Sequence, residues 1–446
     1  MENKYRNVYC GEVTKEYANK EVRLAGWIDT IRNLGSLLFI TLRDEKGIVQ
    51  LISNDVDAYK DLNRESTVTV TGIVRKRTND MINKNMKTGE IEVEIESLEV
   101  LGDVYRTLPF EVNSSKTSSE ETRLKYRYLD LRNKEVHDGI IFRTKVLDFI
   151  RKTMKEMDFT EIQTPILTAS SPEGARDFIV PSRKYKGKFY ALPQAPQIFK
   201  QLLMCSGFNR YFQIAPCFRD EDPRRDRLYG EFYQLDFEMS FATQEDVFEV
   251  GQKVFYDVFK KFGNKEVSPV PFRRIPYKEA MEKYGSDKPD LRIKFEIENL
   301  TSILKNNESV VFKDKEVKCM KLDSCDKSNS WFKKLESEYK ELGASSLGFI
   351  KLENNEMSGS MAKLFSEEEL KSIKDKLKLG NNNYLVIICG SKGEKFDKLC
   401  GSLRLRLADE LDLVDKSKFE FCIIVDFPFY EWNEEDNKWD FAHNPF

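Results

Sequence analysis

Two stretches that alternate apolar and polar residues, NRYFQIAPCFRD (209–220) and EFYQLDFEMSF (231–241), contain the side chains best suited to chemistry. In the first, Phe212, Ile214 and Phe218 fall on one side of a strand and Gln213, Cys217 and Arg219 on the other. In the second, Tyr233, Leu235, Phe237, Met239 and Phe241 oppose Gln234, Asp236, Glu238 and Ser240. The charged loop EDPRRDRLYG joins them into a hairpin. A guanidinium forks onto phosphate and a carboxylate accepts from ammonium, so this polar face suits a ligand that carries both groups. A solvated sheet face laced with ion pairs would alternate in the same way.

Upstream, the helix APQIFKQLLM places Gln197 and Lys200 three residues apart on one face, away from Ile198 and Leu202. Both can point into one pocket, and a lysine suits an anionic group. Taken alone, Lys200 reads more often as a surface lysine. The eight cysteines form no C-x-x-C pair, and His137 and His443 are the only imidazoles, so neither a disulfide framework nor a zinc site is expected.

These residues need elements to hold them. From Glu21 to Leu101 the chain reads as strand after strand, EVRLAGWIDTI, SLLFITLRD, GIVQLIS, STVTVTGIVRKR and GEIEVEIESLEVL, with Gly, Asn and Asp turn signals between them. Five short strands in a row predict a small OB-type barrel. Within it Leu38, Ile40 and Leu42 face one way and Phe39 the other, while Val49 and Leu51 oppose Gln50. An outward phenylalanine beside an amide is a stacking platform for a base with a hydrogen-bonding neighbour. The polar stretch EVNSSKTSSEET then reads as a linker or hinge. Val136, Ile140, Leu147, Ile150, Met154 and Met157 write a helix that ends at Asp158. Beyond it, alternation up to about Arg292 implies antiparallel strands, and a further mixed α/β stretch runs to Lys418 with strand SSLGFIKL, helix SEEELKSIKDKLKL and strand NYLVIICG.

Length and composition agree with a multidomain globular protein. The chain has 446 residues, 40% hydrophobic and 33% charged, more than one core can serve. No run reaches the roughly 18 apolar residues of a membrane span and the N-terminus lacks a signal-peptide stretch, so a cytoplasmic location is expected. The net charge of −3 argues against wholesale coating by nucleic acid and leaves room for a local basic patch.

FRDED followed by a basic loop and EFYQLDFEMSF resembles motif 2 of class II aminoacyl-tRNA synthetases. SSPEGARDFIVPSR, GKFYALPQAPQIFKQLLMCSGFNRYFQIAPCFRDED, YKEAMEKYGSDKPDLR and FPFYEW, in this order, resemble segments of the bacterial aspartyl-tRNA synthetases. The resemblance spans essentially the whole chain. It implies an α+β multidomain architecture: an OB-fold anticodon-binding domain over 1–107, a linker over 108–134, a class II antiparallel-sheet catalytic domain over 135–293, an inserted GAD-like domain over 294–418, and a return to the catalytic domain over 419–446. Motif 3 is not found before FAHNPF, where the family's catalytic domain continues, so an incomplete ATP site is expected.

The activity implied is aspartate activation by ATP, with Mg²⁺, followed by transfer to tRNA(Asp). By resemblance Arg219 meets the α-phosphate, with Asp220 and Glu221 also at ATP. Lys200 would bind the aspartate side chain, and Gln197 and Asp236 its ammonium. Glu173 would sit on a loop that closes over the substrate, and His443 completes the set together with Arg219. Arg32, Phe39 and Gln50 match anticodon contacts. The helix from Val136 with FTEIQTPIL resembles motif 1, implying a homodimer. Four positions depart from the family's pattern: Ala195 in place of a serine, Ile52 in place of an aromatic residue, Leu228 in place of a glutamine, and Asn444 in place of a second histidine. The alternative reading is a tRNA-binding protein that has lost catalysis. Retention of Glu173, Gln197, Lys200, Arg219 and Asp236 favours the enzyme, and YGSDKPDLR disfavours asparagine or lysine as substrate.

Overall fold

Alternation in the first hundred residues closes into a barrel. Strands β1 (Glu21–Asn33), β2 (Leu38–Asp44), β3 (Gly47–Ser53), β4 (Thr67–Lys76) and β5 (Ile91–Gly102) pair in the order β1-β2-β3-β5-β4, and β4 returns to β1. Leu24, Ile28, Ile40, Leu42, Val49 and Leu51 point inward and are fully buried. Closure leaves no strand edge unpaired, as in an OB fold. The structure, a computed structural model, describes residues 3–170, 175–221, 230–353, 356–380, 382–433 and 437–442. The chain divides into two units, Met1–Ile140 and Ile141–Phe446.

Residues 108–134, expected to be a polar linker, instead fold within the first unit. Helices α1 (Glu120–Lys125) and α2 (Arg127–Asp130) form there, and Phe110, Val112 and Leu129 make a small core. The Ser/Thr/Asn-rich composition that suggested solvation supplies caps and ties. Ser119 caps α1, Ser115 donates to the buried Asp130, and Asn133 donates to the carbonyls of Val112 and Asn113. The segment is also bonded to the barrel. Arg132 donates to Glu65 at 2.9 Å and lies over the Trp27 ring, while Glu65 accepts from Arg43, which also pairs with Asp29.

Helix α3 (Lys134–Glu156) matches the predicted periodicity and stops where Asp158 takes a left-handed φ of 62°. In the second unit come β6 (Thr160–Glu161), β7 (Ile179–Pro181), β8 (Phe189–Ala191), α4 (Gln197–Cys205), and the hairpin β9 (Arg210–Phe218) and β10 (Glu231–Met239). The hairpin is antiparallel and β6 adds to it in parallel, giving the order β10-β9-β6. Its apolar face packs on α5 (Gln244–Phe262), with Phe212, Met154, Phe159, Val250 and Val254 at the centre.

The chain continues through β11 (Glu266–Val267), β12 (Arg273–Pro276) and α6 (Tyr277–Tyr284). An intervening segment follows: β13 (Ile297–Asn299), β14 (Glu316–Leu322), α7 (Asn329–Glu341), β15 (Ser346–Glu353), β16 (Glu356–Ser358), α8 (Glu367–Leu377), β17 (Asn382–Gly390) and α9 (Glu394–Glu410). Its five strands form one sheet with its own cores. The chain then returns as β18 (Lys418–Phe419), β19 (Cys422–Val425), β20 (Tyr430–Asn433) and β21 (Lys438–Phe441).

The antiparallel pairing expected through this region holds for the hairpin but not for β6, which joins β9 in parallel, nor for β11 and β12, which pair in parallel with β18 and β19. For β11 and β12 the reason is topological: the chain leaves after β12, folds the intervening sheet, and re-enters running the same way. The segment is anchored by Arg404 of α9, 1% exposed, which donates to the carbonyls of Asp290, Ile293 and Phe295 and lies over the Tyr284 ring. Beside it Gly285 has φ 64°, and a Cβ there would meet the Asp397 carbonyl oxygen at 2.2 Å. Only glycine fits that turn.

Candidate functional site

The polar face of the hairpin is not the solvated surface that alternation alone allows. Tyr211, Gln213, Ala215 and Cys217 of β9 are buried, as is Asp236 of β10, because α4 packs across these strands. Cross-strand register sets Asp236 opposite Gln213 and Glu238 opposite Tyr211. Gln213 is held by Thr164, donating to its hydroxyl at 2.7 Å and accepting from its backbone N–H.

Lys200, one turn into α4, reaches this face. Its ammonium donates to Oδ1 of Asp236 at 2.9 Å and lies 3.4 Å from Glu238. Burial pushes the lysine pKa down, but the two carboxylates outweigh it, and the net shift is upward. Lys200 is therefore a firmly charged, largely buried cation. One lysine between two carboxylates leaves one negative charge in excess, so the cluster as it stands attracts an ammonium. Gln197 opens α4, half-buried, one turn before Lys200.

Arg219 follows β9. Its backbone N–H donates to the Gly230 carbonyl at 2.7 Å and its guanidinium lies 5.2 Å from the centre of the Phe232 ring. Among the described residues its buried Nε has no hydrogen-bond partner. A partly buried guanidinium with an open donor is ready to take an anion. Asp220 and Glu221 continue from it, both exposed. Glu173 and His443 lie outside the described residues, as do Leu228 and Asn444.

Two residues that the sequence did not single out hold the strand end in place. Buried Gln194 brackets Ala175, donating to its carbonyl at 2.9 Å and accepting from its N–H at 3.2 Å, and it also bonds Asp177. Arg176 exchanges bonds with Asp220: the Asp220 N–H donates to its carbonyl and its Nε to the Asp220 carbonyl, both at 2.9 Å. The segment just after Glu173 is thereby fastened beside Arg219. In the sequence these looked like one more amide and one more surface arginine.

On the barrel, Arg32, Phe39 and Ile52 form one row across β1, β2 and β3, and Gln50 lies two residues along on the same outward side. Arg32 is exposed and Phe39 half-buried. Gln50 donates to Glu92 at 3.3 Å. Arg77, missed in the sequence, sits 3.4 Å from Glu92 with a side chain only 4% exposed, and its Nε and one Nη have no hydrogen-bond partner among the described residues. Its signal was weak, since RKRTND reads as a basic turn.

Elsewhere, a cavity of about 640 Å³ opens in the intervening segment between α7 and β15, lined by Lys327, Phe332, Phe349, Lys351 and Tyr384, and carries none of the predicted site residues. Among the described residues no three His, Cys, Asp or Glu side chains gather as a metal cage, and no helix is long and apolar enough to cross a membrane.

Residues 22–101 match the family model for the OB-fold nucleic acid binding domain, and residues 119–446 the model for tRNA synthetases class II (D, K and N). The aspartate–tRNA(Asp/Asn) ligase of Rickettsia felis is 49% identical over 456 residues, covering all of this chain and 76% of that protein. The ligase of the same name from Orientia tsutsugamushi is 46% identical, with 100% and 76% covered. Among solved structures, Pyrococcus horikoshii asparaginyl-tRNA synthetase with asparaginyl-adenylate gives a TM-score of 0.53 at 21% identity, over 90% of this chain and 95% of that one. A putative aspartyl-tRNA synthetase from Leishmania major gives 0.53 at 19%, over 91% and 94%. These last two share the fold. With a synthetase model matched over most of its length and near-half identity to curated ligases across its whole length, the chain belongs to the class II tRNA synthetases of the D, K and N group.

Proposed function

We propose that the chain is an aspartate–tRNA ligase that activates L-aspartate with ATP and transfers it to tRNA(Asp). The observation that carries this reading is the buried Lys200 set between Asp236 and Glu238 beneath the strand that ends in Arg219. An amino acid with an anionic side chain needs a cation for that side chain and a carboxylate for its ammonium, and both are present within one cluster. The names of the relatives support aspartate over asparagine or lysine, and no comparison favours a binding protein without catalysis.

In the reaction an aspartate carboxylate oxygen attacks the α-phosphorus of ATP and the bond to pyrophosphate breaks, so no side chain need be a nucleophile. Lys200 holds the substrate side chain, and Asp236 with Gln197 its ammonium. Arg219 neutralises charge on the phosphoryl oxygens, with Asp220 and Glu221 beside it at ATP. Glu173 and His443 complete the amino-acid site in this reading. Mg²⁺ would arrive on the ATP phosphates and needs only one or two protein carboxylates. Glu221, exposed beside Arg219, suits that role.

Arg32, Phe39 and Gln50 form the anticodon surface, with Gln50 steadied on Glu92 beside Arg77. Residues 294–418 are the inserted domain of the bacterial branch. Exposed Ile141 and Phe142 on α3 support self-association as a homodimer, and the protein works in the cytoplasm. The test is pyrophosphate exchange into ATP driven by each amino acid, measured on protein that carries motif 3, with Arg219→Ala as control. Exchange that requires aspartate and falls about 10²–10³-fold in the variant supports the reading; exchange driven as well by asparagine or lysine overturns it.

A further inference from the structure

Tyr211 is a buried residue of the hairpin's polar face to which no role has been given. It is 0% exposed, and its hydroxyl is buried with no hydrogen-bond partner among the described residues. The strand register sets it opposite Glu238 and diagonal to Asp236, on the same face, a spacing that long aromatic side chains bridge. Asp236 has a matching deficit. Its Oδ1 is committed to Lys200, while its buried Oδ2 has no partner among the described residues. Burial first, and then the neighbouring Asp236 charge, push the tyrosine pKa upward, so the hydroxyl keeps its proton and remains a donor.

A buried donor and a buried acceptor on one sheet face, both unsatisfied, are a costly arrangement, since nearly all such groups in folded proteins are paired. A tyrosine present only to fill space would do better as phenylalanine, which buries the same ring without a hydroxyl to satisfy. The hydroxyl therefore has work to do that packing does not ask of it.

We infer that Tyr211 is a positioning residue for amino-acid recognition, whose hydroxyl donates to Oδ2 of Asp236 and fixes the direction in which that carboxylate meets the substrate ammonium. Asp236 must serve two cations, Lys200 on Oδ1 and the incoming ammonium. A carboxylate gripped at one oxygen only can swing about that contact, and a second donor from the opposite strand stops the swing. The role acts through Asp236, and it rests on the reading of Lys200 and Asp236 as the amino-acid pocket.

The experiment is steady-state pyrophosphate exchange on protein that carries motif 3 and on its Tyr211→Phe and Asp236→Asn variants, with thermal unfolding of each. Tyr211→Phe is expected to remain folded at the assay temperature, because it keeps the buried ring and removes only the hydroxyl. Its KM for aspartate should rise about tenfold, the effect of one hydrogen bond to a charged group, with the KM for ATP unchanged and kcat little altered. An unchanged aspartate KM in Tyr211→Phe, alongside a raised one in Asp236→Asn, overturns the inference and leaves the pocket standing. An unchanged aspartate KM in Asp236→Asn overturns the pocket itself. Equal rises in both KM values of Tyr211→Phe, with a lowered unfolding temperature, mark a packing role and also overturn the inference.

Discussion

Lys200 and Asp236 hold each other at 2.9 Å on the covered face of the hairpin, the pair on which the proposed amino-acid pocket is built. The pair neutralises a largely buried cation against a buried anion. In the proposed pocket an aspartate would exchange that one contact for two, its side-chain carboxylate on Lys200 and its ammonium on Asp236. Selectivity follows from the exchange: an uncharged side chain cannot replace the anion that Lys200 shares, so the lysine would lose a partner without gaining one.

Lys200→Met keeps the apolar stem and removes the charge. Removing one partner of a buried charge pair costs about 2–5 kcal/mol, which here should appear as a rise of at least about 30-fold in the KM for aspartate. The KM for ATP should stay close to that of the parent. Exchange kinetics with each substrate varied in turn check this; unchanged aspartate affinity would remove Lys200 from the pocket.

Phe39→Ala should weaken tRNA binding by about 1–3 kcal/mol, the usual range for one stacked base, and leave tRNA-independent exchange untouched. Binding must be compared at one fixed salt concentration. Charging assays with tRNA(Asp) and tRNA(Asn) in parallel would show which anticodons depend on the ring. A variant that binds and charges normally returns Phe39 to the outer packing of the barrel.

Glu65→Gln tests the ion network joining the barrel to residues 108–134. Glu65 accepts from both Arg43 and Arg132 with a side chain only 4% exposed. Breaking such a pair from one side costs about 3–5 kcal/mol. Denaturant unfolding should show that loss in the first unit, with aspartate-dependent exchange retained under native conditions. A change below about 1 kcal/mol would mean the network behaves like a surface one.

Asp130 provides a pH test. Burial pushes its carboxyl up, but Arg123, Ser115 and Arg127 outweigh it, so it titrates below its ordinary value of 3.8. A carboxyl depressed in the folded state stabilises the fold fully above that ordinary value, and the contribution drains away as pH falls below it through the folded value. Asp130→Asn should therefore destabilise the first unit at neutral pH and flatten its loss of stability in acid. Unfolding curves measured from pH 7 down to about pH 3 would show parallel slopes if Asp130 were not involved.

Much of this was legible in the sequence where period and chemistry coincide. The barrel strands, α3 with its stop at Asp158, the two faces of the hairpin strands and the shared face of Gln197 and Lys200 all follow from spacing. The burial of the hairpin's polar face did not, because α4 covers it, and which helix lies on which sheet is decided by tertiary packing. Residues 108–134 misled for a related reason. Ser, Thr and Asn look alike in sequence whether they face water or cap helices and bridge a buried Asp130. Gln194 and Arg176 were invisible because their value lies in backbone groups distant along the chain. The parallel pairing of β12 with β19 could not be read from either strand alone.

Arg404 gives the intervening segment a particular kind of ownership. Its three carbonyl partners belong to the stretch after α6, not to the sheet of its own segment, and Gly285 is shaped to the backbone of the same helix. Excising the segment at its two sequence junctions would take from those carbonyls the guanidinium they share and leave a tight turn curled around empty space. A trimmed enzyme would therefore need repair at Tyr284–Phe295 before it could be expected to fold, and a graft of the segment onto another protein would carry a bare, buried guanidinium with it.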